Sequence, residues 1–156
     1  MKFYHVSHRK LREGTILTIG VYGERIRRHD FVKDYYSTYI KEEIFESIRS
    51  LNYPALPSRL NCVFLFAELA TAKAFYGNKG RYNDYVYEVE IEEGEPLTVE
   101  MDLLCCDGVS YQEICNCAHK YWEQIRHPNS STLEVLLAGK AKVKKMVLAP
   151  SNIWDL

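Results

Sequence analysis

The chain is 156 residues long, 47% hydrophobic and 26% charged, with a formal net charge of −1. That length supports one domain with a real core and not two independent ones, so residues 1–156 are read as a single domain. The charge balance excludes a protein that holds nucleic acid by bulk positive charge, and no apolar run nears the roughly 18 residues of a membrane span.

In chain order, residues 3–7 read as a short strand, followed by a turn-rich stretch around Gly14 and Gly20. Over residues 34–51, Tyr36, Ile40, Ile44, Ile48 and Leu51 recur at three- and four-residue spacing, with Lys41, Glu42, Glu43 and Glu46 largely opposite. That is the stripe of an amphipathic helix, which Asn52-Tyr53-Pro54 ends. Residues 62–66 form a compact apolar strand leading into an Ala-rich helix over 68–76, closed by Gly77. Tyr85, Tyr87, Val89 and Ile91 alternate with Val86, Glu88 and Glu90, which is strand periodicity with one face buried. After the turn at 92–96, Leu97, Val99, Met101 and Leu103 alternate again. A helix is read over 111–125, with Ile114, Ala118, Tyr121, Trp122 and Ile125 near one stripe. Two strands close the chain, over 133–137 and 141–148, with Ala138-Gly139-Lys140 as the turn. Late adjacent strands after separated helices predict an α+β fold and not a doubly wound sheet. No glycine-rich dinucleotide or P-loop signature is present.

The five cysteines are an odd set, and nothing in the opening residues looks like the apolar core of a signal peptide. Reduced thiols and a cytoplasmic protein are therefore expected. Cys105-Cys106, Cys115, Cys117 and His119 lack the paired spacing of zinc ligands, and Cys115 and Cys117 would point to different faces of their helix. Buried, inert cysteines and no metal are the expectation.

Three segments together carry chemistry. Phe3-Tyr4-His5-Val6-Ser7 places a histidine in the first strand; Val63-Phe64-Leu65-Phe66 feeds a helix bearing Phe75 and Tyr76; Glu134 opens the apolar strand 133–137, which hairpins into a basic-apolar strand. In this order they resemble the ADP-ribosyltransferase superfamily, and the Tyr4-His5 opening resembles its histidine-type members, including rifampicin-modifying, DarT-like and mRNA-modifying enzymes. The resemblance implies a split antiparallel or mixed β-sheet core with flanking helices, and an enzyme that consumes NAD without a metal. It implies Glu134 as the catalytic carboxylate and His5 at a ribose hydroxyl, assisted by Ser7 on the same strand face. It implies Arg59 at the pyrophosphate or the substrate. It also implies Tyr76 as the aromatic stacked on nicotinamide, with Phe64, Phe66 and Phe75 as rivals. Members that modify arginine or asparagine often carry Glu or Gln two residues before the catalytic Glu; Thr132 stands there, which leaves the acceptor open.

The chemistry has a direct physical reason. Breaking the nicotinamide–ribose bond builds positive charge on the sugar, as in glycoside hydrolysis, and a fixed carboxylate stabilises it. What is implied is a mono-ADP-ribosyltransferase of a toxin or phage-defence type, restrained by an antitoxin partner. Its acceptor would be RNA or a host protein, with nucleic acid favoured by the basic stretches near His5 (Arg9, Lys10, Arg12) and near Glu134 (Lys140 to Lys145). The alternatives are a non-catalytic binding module of the same fold and an NAD glycohydrolase. Singly, each residue has a plainer reading: a structural strand histidine, a solvated strand-edge glutamate, a core tyrosine, and an arginine paired with a surface acid.

Overall fold

The computed structural model describes residues 1–28, 36–78, 84–106 and 108–150. Among these residues, seven strands and four α-helices run in the order β1 (Lys2–Ser7), β2 (Ile16–Leu17), α1 (Val21–Arg28), α2 (Tyr36–Asn52), β3 (Val63–Leu65), α3 (Leu69–Asn78), β4 (Tyr85–Glu93), β5 (Pro96–Glu100), α4 (Tyr111–Trp122), β6 (Leu133–Leu137) and β7 (Lys140–Leu148). The strands form two antiparallel sheets, one ordered β1-β4-β7-β2 and the other β3-β6-β5. An α+β architecture is present. An isolated bridge between Tyr4 and Phe66 joins the sheets, through the amide of each residue bonding the carbonyl of the other at 2.8 Å.

Alternation along the strands distributes the apolar residues into three clusters. Phe3, Val63, Leu65, Tyr87, Val89, Val135, Leu137, Ala141 and Val143 come from both sheets and fill the space between them. Leu136 and Val99 point the other way, where Phe45 of α2 and Ala118, Tyr121 and Trp122 of α4 cover them. The third cluster packs Ala72 and Tyr76 of α3 against Phe66 and Val86. The strand at 85–93 is buried on both faces, with Val86 and Tyr87 each nearly inaccessible. Its two faces serve different clusters, so the one-faced reading of its alternation fails.

The chain crosses from one sheet to the other at Gly94 and crosses back at Gly139. A Cβ on Gly139 would stand 1.9 Å from the Glu93 carbonyl oxygen, and one on Gly94 would stand 2.7 Å from that of Ala138. Only glycine lets the two turns pass so closely.

Element ends differ from the sequence expectations for local reasons. Residues 34 and 35 lie outside the described residues, and α2 runs on to Asn52. Helix α4 begins at a Ser110–Glu113 capping box. It stops at Trp122, three residues before the expected end, because Gln124 takes a left-handed conformation (φ 59°). The Ile125 amide then bonds the Lys120 carbonyl and the Gln124 amide that of Tyr121, each at 3.0 Å, which is a Schellman stop. Ile125 is consequently exposed. Strand β5 ends at Glu100 and the chain turns through a 3-10 segment, Met101–Leu104. Two elements lacked any predicted counterpart: the two-residue β2 and the eight-residue α1, both inside the stretch read as turns.

Candidate active site

The residues that come together most closely are buried ones. Arg59 lies in a 3-10 turn, Arg59–Asn61, that the serine hydroxyl of Ser58 caps by accepting from the Leu60 amide. The turn points its guanidinium into the space between α2, α4 and β6. There Arg59 is 6% exposed, Glu42 2% and Glu134 5%. Arg59 Nε donates to both oxygens of Glu42, at 3.2 and 3.0 Å, and its Nη2 donates to Oε1 at 3.1 Å. Its Nη1 donates to the Tyr121 hydroxyl at 2.6 Å and to Oε1 of Glu134. The Tyr121 hydroxyl in turn donates to Glu134 Oε1 at 2.8 Å, and Tyr22 donates to Glu42 Oε1 at 2.8 Å. The rings of Phe64, Tyr121 and Tyr22 surround the guanidinium carbon at 4.9, 5.5 and 6.0 Å. Arg59 is thus a cation in an aromatic cage, compensated by two carboxylates.

The electrostatics follow from that enclosure. Burial works against the Arg59 charge, but the carboxylates of Glu134 and Glu42 outweigh it and hold its pKa well above the ordinary value. Burial raises the Tyr121 hydroxyl well above its usual range, Arg59 pulling it back and Glu134 adding to the rise, so it stays a proton donor. One guanidinium against two carboxylates gives the cluster a formal charge of −1.

Glu134 itself is held asymmetrically. Oε1 accepts both bonds, while Oε2 has no hydrogen-bond partner among the described residues. Among the described residues no buried side-chain oxygen lacks a partner, so Oε2 is a solvent-reached oxygen of an otherwise buried residue. A carboxylate locked through one oxygen and open through the other can accept a hydroxyl or face a developing positive charge without reorganising.

His5 sits across β3 from this cluster. Its Nδ1 is 2.9 Å from the Phe64 carbonyl oxygen. A carbonyl only accepts, so Nδ1 carries the proton and Nε2 of the neutral ring is an acceptor. Burial lowers the His5 pKa, the Phe64 carbonyl opposes this, and His8 adds to the lowering. A lowered native pKa means that the unfolded chain binds the proton more readily. Stability from this site is therefore complete above about 6.5, the ordinary value, and is lost as pH falls from there toward the lowered native value. His5→Gln is expected to flatten the fall in urea midpoint below pH 6.5; an unchanged slope would assign that fall to other groups.

His5 and Glu134 share no bonding partner. His5 alternates with Tyr4 and Val6, which face the α3 cluster, and so takes the side of Phe3 between the sheets. Glu134 alternates with Val135 and takes the side of Leu136, beneath α2 and α4. The antiparallel register Leu65↔Val135, continued by one residue, puts Glu134 beside Phe66, where β3 has ended. The fold therefore unites Arg59 with Glu134 and sets His5 one strand away, on the other face. Ser7 lies beyond His5, its hydroxyl tied to Arg9, donating to the carbonyl at 3.0 Å and accepting from the amide at 3.1 Å. Phe66 and Tyr76 share one cluster, 4% and 6% exposed, and Tyr76 donates to the Ala149 carbonyl at 3.4 Å. Neither presents an open ring face.

Sequence reasoning passed over Glu42, Tyr22 and Tyr121. Glu42 was counted on the solvated face of its helix, yet it is almost inaccessible, because Arg59 and Tyr22 reach it from a turn and a helix distant in sequence. Tyr121 was recognised only as a core position. The single available signal was the polar tip of Tyr121 at a position that periodicity puts near the core.

The basic run on β7 is not free. Lys140, Lys142, Lys144 and Lys145 pair across to Glu93, Glu92, Glu90 and Glu88 of β4, at 3.0, 3.6, 3.3 and 3.6 Å. Of the cysteines, all free, only Cys62 and Cys106 are buried, which corrects the expectation for Cys105, Cys115 and Cys117. Burial pushes the Cys62 thiol up to about 12, leaving it inert. Among the described residues no group of three or more His, Cys, Asp or Glu is placed to hold a metal ion, and no helix is long and apolar enough to cross a membrane.

The chain belongs to the family described as protein of unknown function (DUF2441), whose model matches residues 3–149 and so takes in His5, Arg59 and Glu134. No curated protein matches the chain.

Proposed function

We propose that this member of the family cleaves the nicotinamide–ribose bond of NAD and transfers ADP-ribose, with Glu134 as the catalytic carboxylate. The observation that carries the reading is the state of that carboxylate: Oε1 fixed by Arg59 and Tyr121, Oε2 unbonded and reached by solvent, in a cluster of net charge −1. The bond's electron pair leaves with nicotinamide, which departs neutral because its ring nitrogen was cationic, so no general acid is needed. The sugar is left with oxocarbenium character, and an adjacent fixed anion lowers the energy of that state. Oε2 accepts the ribose 2′-hydroxyl, while Arg59 and Tyr121 act as positioning residues.

His5 joins this site through Nε2, the acceptor left open by its bond to Phe64, which takes a second hydroxyl of the dinucleotide. His5 and Glu134 leave their strands on different faces, so one dinucleotide engages both only by reaching around β3. Neither Phe66 nor Tyr76 is given the nicotinamide-stacking role here, since both rings are covered. The acceptor is a nucleic acid or a protein. Pairing of the β7 lysines leaves the charge argument for nucleic acid resting on the His5 side alone. A cell carrying such a consumer of NAD needs it restrained, which is the sense of an antitoxin partner.

The test is incubation of the purified chain with NAD labelled in the adenylate, offered RNA, DNA and lysate protein, with nicotinamide release followed alongside. Label in one macromolecule supports transfer, and release without label makes the chain a glycohydrolase. The same burial of Glu134 favours a second reading, in which the cluster only holds α2, α4 and β6 together and the domain is a binding module; neither release nor label selects it. His5→Ala is expected to raise KM for NAD about tenfold, the loss of one hydrogen bond to a neutral partner. Unchanged KM and kcat would remove His5 from the site.

A further inference from the structure

Beyond β1 the chain carries His8, Arg9, Lys10 and Arg12 within five residues. Arg9, Lys10 and Arg12 are exposed and make no ion pair among the described residues, whereas the lysines of β7 are each paired with a glutamate. Glu13 is the only acid in the segment and is likewise exposed.

The segment is fixed by two local turns and two ties to the sheet. Ser7 holds Arg9 at the end of β1, and the Leu11 amide donates to the Tyr87 hydroxyl at 2.7 Å. The Thr15 amide bonds the Arg12 carbonyl at 3.1 Å, and the Gly14 amide bonds the Val143 carbonyl at 2.8 Å. Tyr87 is the cross-strand partner of His5, so the two side chains share a face, and Leu11 packs on the cluster they border. The backbone of the segment is thereby folded over the His5 side of the sheet, with a fixed geometry and three uncompensated cations. Uncompensated charges on an ordered strap, folded over the sheet face that carries His5 with its Nε2 as an acceptor, match a ligand carrying both hydroxyls and phosphates.

We propose that the strap of residues 8–12 is a diphosphate-binding site, in which Arg9, Lys10 and Arg12 take the pyrophosphate of a dinucleotide whose ribose hydroxyl bonds His5 Nε2. The inference rests on the NAD reading for the identity of the dinucleotide, but its charge argument stands independently of Glu134.

Binding to the full chain is measured by calorimetry at two salt concentrations, with NAD, ADP-ribose, inorganic pyrophosphate, nicotinamide riboside and a single-stranded RNA of about ten nucleotides. The variant is Arg9→Gln, Lys10→Gln and Arg12→Gln together; all three side chains are exposed, so its fold is expected to match the parent in circular dichroism and urea midpoint. The expected result is at least tenfold weaker NAD and ADP-ribose binding, unchanged nicotinamide riboside binding and a shallower salt dependence. Equal affinity of variant and parent for NAD overturns the strap and leaves the NAD reading standing. Pyrophosphate bound by the parent and lost in the variant, with no NAD binding by either, supports the diphosphate site and ends the NAD reading. Loss of RNA binding alone overturns the proposal in favour of a nucleic-acid surface, and a parent that binds none of the phosphate ligands overturns it outright.

Discussion

Glu134→Gln is expected to lower the rate of nicotinamide release on the order of 10²–10³-fold while the protein stays folded. The two halves of that expectation come from the two oxygens. The glutamine carbonyl oxygen can still accept from Arg59 and Tyr121 as Oε1 does. Arg59 keeps its compensating charge from Glu42. Replacing a charged acceptor by a neutral one then costs about 1–2 kcal/mol of stability, a modest fall in urea midpoint. At the open position the loss is of another kind. An amide there carries no negative charge to set against the sugar, and the −1 of the cluster becomes zero. Single-turnover release with saturating NAD is the measurement, with circular dichroism as the check on folding. Near-parental release would take Glu134 out of the chemistry and leave it as a structural acid.

Arg59→Met is expected to have the largest effect on stability, about 3–5 kcal/mol, because it strips the only cation from two buried carboxylates. Methionine replaces only the stem of the arginine as far as Nε, so the place of the guanidinium among Phe64, Tyr121 and Tyr22 is left unfilled and some packing is lost along with the charge. What remains is Glu42 and Glu134, both about 95% or more inaccessible, facing each other across an apolar space. Adding Glu42→Gln and Glu134→Gln to Arg59→Met is expected to recover most of the loss. A single variant as stable as the parent at neutral pH would mean that the cluster contributes nothing net. The combination separates the two readings of this site: a purely structural cluster is rescued fully by the triple change, while a catalytic one is rescued in stability and stays dead in release.

How much was legible in the chain depended on the range of the signal. The period-3.6 stripe of α2, the alternation in β4, β5 and β7, and the apolar run of β3 each come from neighbours within a few residues, and the structure carries an element at each. The short α1 and β2 were not legible. Helix α1 has eight residues with Gly23 inside it, and that glycine is there because a Cβ would stand 2.0 Å from the Leu60 carbonyl oxygen. Local propensity reads the glycine as a break; only the packing of α1 against the Arg59 turn explains it. Likewise Gln124 has no sequence signature of a helix stop, since glycine is the residue that usually takes that conformation.

At the site the division is sharper. Element order led to an α+β domain, and the family resemblance it carries singled out His5, Arg59 and Glu134. They did so because a strand glutamate next to an apolar run and a histidine in a first strand are local facts. Which of these residues meet was decided by the tertiary structure alone. The Arg59 turn, α2, α4 and β6 converge from positions 17 to 75 residues apart, and that convergence turned Arg59 inward to Glu42 and Glu134. The pairing of β7 with β4 neutralised one basic run, and the segment of residues 8–12, whose cations make no ion pair among the described residues, left the other open. Charge compensation under burial is a property of what lies across the gap, and no stretch of sequence records it.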